Sequence, residues 1–179
     1  MYWFMLSLNY IEMSLQNAIM KLKLLKQLLE STPAGTYVGA RLSDESAEKI
    51  MEFINANNFP DALGKKELHT TLIYSRKYLP KFKSRGKLET PMLAEPDKFG
   101  LFGEEENALV IKLKSPDLVE RHNQIMDDHG ATFDFDEYQP HITLSYECVG
   151  LDISKLNLED IGPLELIEEY HEDLDGGWR

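Results

Sequence analysis

The sequence predicts an α+β fold in which two similar lobes face each other across a cleft. Three observations predict it. A six-residue pattern, His-x-Thr-Leu-x-Tyr, occurs twice: His69-Thr70-Thr71-Leu72-Ile73-Tyr74 and His141-Ile142-Thr143-Leu144-Ser145-Tyr146. A strand, helix, strand order recurs around each copy. The 179 residues suffice for one domain with a sizeable core, and 42% hydrophobic with 28% charged residues is ordinary for a globular chain.

The elements follow in order. Residues 1–34 read as an extension. Leu15, Ile19, Leu22, Leu25 and Leu28 recur at helical spacing and predict an amphipathic helix over 14–30, ending before Thr32-Pro33, with packing as its role. Met1 to Leu6 is apolar but lacks a basic leader and a clear cleavage site, so it is a poor signal peptide. Met13 and Met20 are alternative starts, and the first dozen residues are expected to be dispensable. From Gly35 to Arg179 the chain reads as one domain without an internal linker.

Gly35 opens a strand through Leu42, and Ser43 caps a helix reaching about Ala56, which Asn57, Asn58 and Pro60 end. The first motif strand lies near 67–75. A long loop with Pro80 and Gly86 leads to a strand from Leu88 to Phe102. A turn over Gly103 to Asn107 then returns the chain as a strand over Ala108 to Leu113. Ser115-Pro116-Asp117 starts a helix that runs to His129 and stops at Gly130. The second motif strand lies near 140–147, a final strand over 164–170, and an acidic, Gly-rich tail follows.

Each motif copy is rich in β-branched and aromatic residues. Alternation puts His69, Thr71 and Ile73 on one face and Thr70, Leu72 and Tyr74 on the other. In the second copy His141, Thr143 and Ser145 oppose Ile142, Leu144 and Tyr146. The Leu/Tyr face suits a core under helices; the His/Thr face suits a solvated groove. Imidazole, with an unperturbed pKa of about 6.5, is the side chain closest to neutrality. Of two facing histidines, one takes a proton while the other gives one. Thr71 and Thr143 offer hydroxyls to the phosphate oxygens on which charge builds during phosphoryl transfer. Which histidine is the acid and which the base stays open.

The net charge of −12 argues against a polyanion-binding surface. Yet Lys65 to Lys87 holds eight basic residues against Glu67 alone, a local +7 that leaves −19 elsewhere. This run either holds phosphates beside the first motif or is a solvated loop; in both cases a small anion fits better than duplex nucleic acid. A lone cysteine, Cys148, excludes an internal disulfide and reads as core filler in a reducing compartment. No apolar run reaches the roughly 20 residues of a membrane span.

The paired His-x-Thr strands resemble the signature of the 2H phosphoesterase superfamily, from about Gly35 to Tyr146. Within it the chain looks most like the phage anti-CBASS nucleases, which degrade the cyclic di- and trinucleotide signals of bacterial anti-phage defence. Thr36 to Arg41, Phe99 to Gly103 before Asn107 to Val110, and Asp175 to Arg179 carry this closer likeness. The resemblance implies a bilobal α+β fold: two pseudo-twofold-related lobes of antiparallel strands with flanking helices around a central cleft. It makes residues 35–179 a single catalytic domain with a C-terminal tail that is a possible lid. It implies a metal-independent phosphodiesterase, without cofactor, that cleaves 3′,3′-linked cyclic nucleotides such as cyclic GMP–AMP. Its partner is that small molecule, with no duplex nucleic acid and no membrane. Its place is the cytoplasm, the bacterial host's if the chain is phage-encoded. An RNA 2′,3′-cyclic phosphodiesterase of the same superfamily and a non-catalytic nucleotide sponge are the alternatives.

His69, Thr71, His141 and Thr143 are the expected catalytic residues. Tyr37, Glu172 and Trp178 are the expected substrate-binding residues. Tyr37 stacks on a base or packs in the core. Trp178 either docks on the body or closes over a ligand. Glu172 accepts from a base or ribose, or is one solvated acid in the run Glu168 to Asp175. His122 and His129 read as structural and His171 as uninformative. No Cys pairs and no His-x-x-x-His occur, and the paired histidines need no metal.

Overall fold

Strands form where β-branched, aromatic and leucine side chains cluster between turn residues. They are β1 (Gly35–Leu42), β2 (His69–Ser75), β3 (Gly86–Phe102), β4 (Ala108–Lys114), β5 (His141–Ser145) and β6 (Leu164–Leu174). Two helices connect them, α1 (Asp44–Asn57) and α2 (Pro116–His129). The computed structural model describes residues 15–16, 18–24, 33–103 and 107–175.

Both helices begin and end as the sequence predicts. Ser43 Oγ accepts from the Ser46 N–H at 3.2 Å, and Asn58 ends α1 in the left-handed region at φ 51°. Ser115 Oγ accepts from the Leu118 N–H at 3.2 Å, Pro116 follows it, and Gly130 stops α2 at φ 59°.

All strand pairings are antiparallel, and the order β1-β2-β5-β4-β3-β6 closes into a barrel. The barrel divides into two halves, β6-β1-β2 and β3-β4-β5. The halves meet at two seams of unequal strength. Between β3 and β6 the ladder runs over Gly86–Lys87 and Met92–Ala94; between β2 and β5 it is a single pair, Thr70↔Ile142. The two motif strands are therefore neighbours. Val38, Leu72, Leu109, Ile111, Ile142 and Leu164 bury one face of the barrel in a core that α1 and α2 cover with Ile50, Leu118 and Ile125.

One irregularity is repeated. Gly39 pairs with Thr71 and Val38 with Ile73, so Leu72 is the extra residue of a β-bulge. Val110 pairs with Thr143 and Leu109 with Ser145, so Leu144 is the extra residue of another. The leucine of each His-x-Thr-Leu-x-Tyr copy is a bulge residue. The bulge shifts the alternation by one, which corrects the expected faces. Ile73 and Ser145 are fully buried rather than in the groove with the histidines, and Tyr146 is 48% exposed rather than in the core.

Two further expectations are corrected. Residues 15–16 and 18–24 are helical, but Leu15, Ile19 and Leu22 are exposed, so this part does not pack on the body. Met20 and Leu24 are exposed as well. The core is already covered by α1 and α2. Leu25 and Leu28 lie outside the described residues, as do the first dozen. The final strand also runs on to Leu174, so His171 and Glu172 belong to β6 and not to a tail. The acidic run is not uniformly solvated: Glu169 is buried against Arg121, with Nε–Oε2 at 2.7 Å.

Candidate active site

β2 and β5 present their histidines by the same local device. His69 Nδ1–H donates to the Glu67 carbonyl at 2.5 Å, and His141 Nδ1–H donates to the Gln139 carbonyl at 2.8 Å. A carbonyl only accepts, so each ring carries a proton on Nδ1 and keeps Nε2 for chemistry. The residues two before each histidine are themselves anchored. The Glu67 carboxylate accepts from the Gly64 N–H at 2.8 Å, and Gln139 Oε1 accepts from Lys112 Nζ at 2.9 Å.

The register that Thr70↔Ile142 sets puts His69 opposite Thr143 and Thr71 opposite His141. The four expected residues thus form a rectangle on one face of the β2–β5 seam. The outer strands extend it with the same symmetry. Arg41 on β1 pairs with His69, and Lys112 on β4 pairs with His141. Aromatic rings flank each histidine. Tyr37 and Tyr170 lie edge-on to His69 at 6.1 and 6.4 Å, and Phe102 lies edge-on to His141 at 4.8 Å.

The two halves differ in electrostatics. His141 is held below the ordinary imidazole value, first by burial, with the His69 and Lys112 charges acting the same way and the Gln139 carbonyl opposing. Neutral His141 is therefore favoured at pH 7. Burial pushes the Tyr37 phenol well above its usual range, so it stays protonated, and it lies 2.9 Å from Thr71 Oγ1.

Neither sequence reading of Tyr37, base stacking or core packing, included its contact with Thr71. Glu172 sits opposite Tyr37 in the β1–β6 ladder and helps line a cleft of about 340 Å³ beside His69, with Arg41, Lys66, Tyr146 and Tyr170. Trp178 lies outside the described residues. His122 is buried on α2, Cys148 is buried, and His129 and His171 both lie edge-on to Phe82.

The sequence reading missed Arg41, Lys112, Phe102, Tyr146 and Tyr170, because only the pairing register brings them to the histidines. One signal was present. A glycine inside a strand marks a close approach. A Cβ on Gly39 would stand 2.7 Å from Tyr170 Cζ, and one on Gly100 would stand 3.0 Å from Lys112 Cε. Both glycines lie on strands beside the cleft. Conversely, much of the basic run is spent on the fold. Lys65 binds Asp44 and Glu48, Arg76 binds Asp134, Lys77 reaches the Gly130 carbonyl and Arg85 reaches Gln124. Lys66 lines the cleft. Among the described residues no three His, Cys, Asp or Glu side chains gather as a metal site, and no helix is long and apolar enough to cross a membrane.

Two His-x-Thr strands side by side in a closed barrel define the class. The fold is that of the 2H phosphoesterases: the chain superposes on E. coli LigT complexed with 3′-AMP with a TM-score of 0.53 at 15% identity, covering 78% of this chain and 87% of LigT. Apo E. coli LigT gives a TM-score of 0.51 at 18% identity, covering 79% and 87%. The particular family is more specific. The family model described as "Anti-CBASS protein Acb1" matches residues 34–179, and the chain belongs to that family. It is 31% identical over 156 residues to the anti-CBASS protein Acb1 of Vibrio phage KVP40, covering 86% of this chain and 95% of that protein. It is 32% identical over 145 residues to the protein of the same name in Enterobacteria phage T4, covering 80% and 91%.

Proposed function

We propose that residues 35–179 form a catalytic unit, a metal-independent phosphodiesterase that opens 3′,3′-linked cyclic di- and trinucleotides such as cyclic GMP–AMP to linear products. By removing that signal it disables CBASS defence in the cytoplasm of a bacterial host. The observation that carries the reading is the pair of Nδ1-anchored histidines, each beside a threonine, on one face of the same seam. Family membership supports the substrate class.

The reaction is intramolecular. The ribose 2′-OH attacks the adjacent phosphorus and gives its proton to Nε2 of one neutral histidine. The P–O5′ bond breaks as the other, protonated histidine delivers a proton to the leaving oxygen. A 2′,3′-cyclic phosphate and a 5′-hydroxyl result. Attack from within the substrate avoids the entropy cost of bringing in a second reactant. Thr71 and Thr143 donate to the non-bridging oxygens as charge builds there. Tyr37 Oη lies 2.9 Å from Thr71 Oγ1, and a Tyr37 that donates there leaves the threonine's own hydrogen for the phosphate. Tyr37 and Glu172 contact the substrate on the His69 side, and Trp178 belongs to the same proposed set.

The test is chromatographic. Purified protein is incubated with 3′,3′-cyclic GMP–AMP in excess EDTA, beside His69→Ala and His141→Ala. Linear products from wild type, absent in both variants, are expected. Activity only on RNA 2′,3′-cyclic ends would assign the RNA-processing reaction instead. Binding without turnover of either substrate would make the protein a sponge.

A further inference from the structure

A bulge residue's carbonyl leaves the ladder and needs another donor. At Leu144 a backbone group supplies it, the Leu63 N–H at 2.8 Å. At Leu72 a side chain does, with His122 Nδ1–H donating at 2.7 Å. His122 is buried on α2. Its ring lies flat on Tyr138, with centroids 4.1 Å apart and planes 1° from parallel, and Phe133 closes its edge at 4.8 Å. The Tyr138 hydroxyl donates to the carbonyl of Thr71 at 2.8 Å. One stacked pair therefore holds two successive carbonyls of β2, at the threonine and at the bulge.

We propose that His122 and Tyr138 are positioning residues: their stack fixes the β2 bulge and so the direction in which Thr71 presents its hydroxyl to the cleft. The proposal rests on the reading of Thr71 as a phosphate ligand. Thr71 is fixed at both ends. Its carbonyl is held by Tyr138, and its hydroxyl lies 2.9 Å from Tyr37 on the cleft side. A turn of the Thr71–Leu72 peptide would break that alignment. In the second half the bulge carbonyl is held by backbone, which side-chain substitution does not reach.

Three variants test it. Tyr138→Phe keeps the stack and removes one donor. His122→Leu removes the other donor, and His122→Asn restores a donor near Nδ1. On cyclic GMP–AMP, Tyr138→Phe and His122→Leu are expected to lower kcat about 10- to 100-fold with KM within about threefold, and His122→Asn to recover most of the loss. In substrate-free protein the Thr71 methyl resonance is expected to shift in Tyr138→Phe. Unchanged kcat and an unshifted methyl in Tyr138→Phe would overturn the proposal. So would an Asn variant as slow as the Leu variant while both stay folded. Should His122→Leu fail to fold, Tyr138→Phe decides alone. Should wild type not turn over the nucleotide, the functional reading falls, and the methyl shift still decides whether the stack positions Thr71.

Discussion

Glu169→Gln is expected to destabilise the protein severely although the change is nearly isosteric. The Glu169 side chain is 0% exposed and that of Arg121 is 11% exposed. The carboxylate accepts three bonds: from Arg121 Nε at 2.7 Å, from Arg121 Nη2 at 2.9 Å and from the Arg85 N–H at 3.0 Å. Glutamine presents one acceptor and one donor, so its NH2 must face a guanidinium N–H, and the buried Arg121 charge loses its counter-charge. Breaking a buried pair costs about 3–5 kcal/mol. Arg121 keeps a little water, so the low end, about 3 kcal/mol, applies. At about 2–4 °C per kcal/mol for a chain of this size, the melting temperature should fall by roughly 6–12 °C. Circular dichroism melts and urea titrations read this directly. The double variant Arg121→Met/Glu169→Leu should recover part of the loss: a packed apolar pair replaces a buried ion pair at little net cost, while the Arg85 N–H, left without its acceptor, still costs about 1 kcal/mol. A Glu169→Gln protein within about 1 kcal/mol of wild type would refute the reasoning, because the pair would then behave as an exposed one.

Three other outcomes are expected. His122 and His141 are both held below the ordinary imidazole value, first by burial. Below about pH 6.5 the unfolded chain then binds protons that the folded one does not, so stability is full above that pH and falls as pH drops toward the folded values. Urea midpoints between pH 7.5 and 5.5 should show this, with a flatter slope in His141→Gln; identical slopes would count against it. Lys112→Met removes one of the charges that hold His141 down, so the limb of the pH–rate profile that reports His141 should move to higher pH. A limb that stays in place, or moves to lower pH, contradicts this. Gly39→Ala puts a Cβ 2.7 Å from Tyr170 Cζ, so the ring must leave its present place beside His69. KM should rise about tenfold with kcat within about threefold, if Tyr170 stacks on a base. Tyr170→Ala should match it, and combining the two should add little; additive effects would show that the glycine acts elsewhere.

Much of this was legible in the residues. The caps at Ser43 and Ser115, the stops at Asn58 and Gly130, and the strands around both motifs follow from local chemistry, which acts over three or four residues. The α+β class and the family resemblance followed from the repeated motif. The phase of the motif strands was not legible. Strict alternation assigns Ile73 and Ser145 to the groove, and only cross-strand register reveals Leu72 and Leu144 as extra residues. Arg41, Lys112 and Tyr170 were hidden for the same reason: they lie on strands far from the motifs in sequence. The role of the basic run stayed open because charge counting does not say which cations are already bonded, as Lys65 and Arg76 are. The helix in the extension misled because an apolar stripe records an appetite for burial and not the presence of a partner.

The single rung between β2 and β5 has a consequence for motion. In a ring of strands, opening propagates from the joint with the fewest bonds. Here that joint is the line that carries both histidines, one on each strand, while β3 and β6 share a longer ladder on the far side. A barrel that opens there would act as a clasp, hinged at β3–β6 and parting at β2–β5. Amide exchange should be fastest along that line and slowed by a bound nucleotide that bridges both halves. A ligand spanning the gap would then act as the fastener that completes the ring.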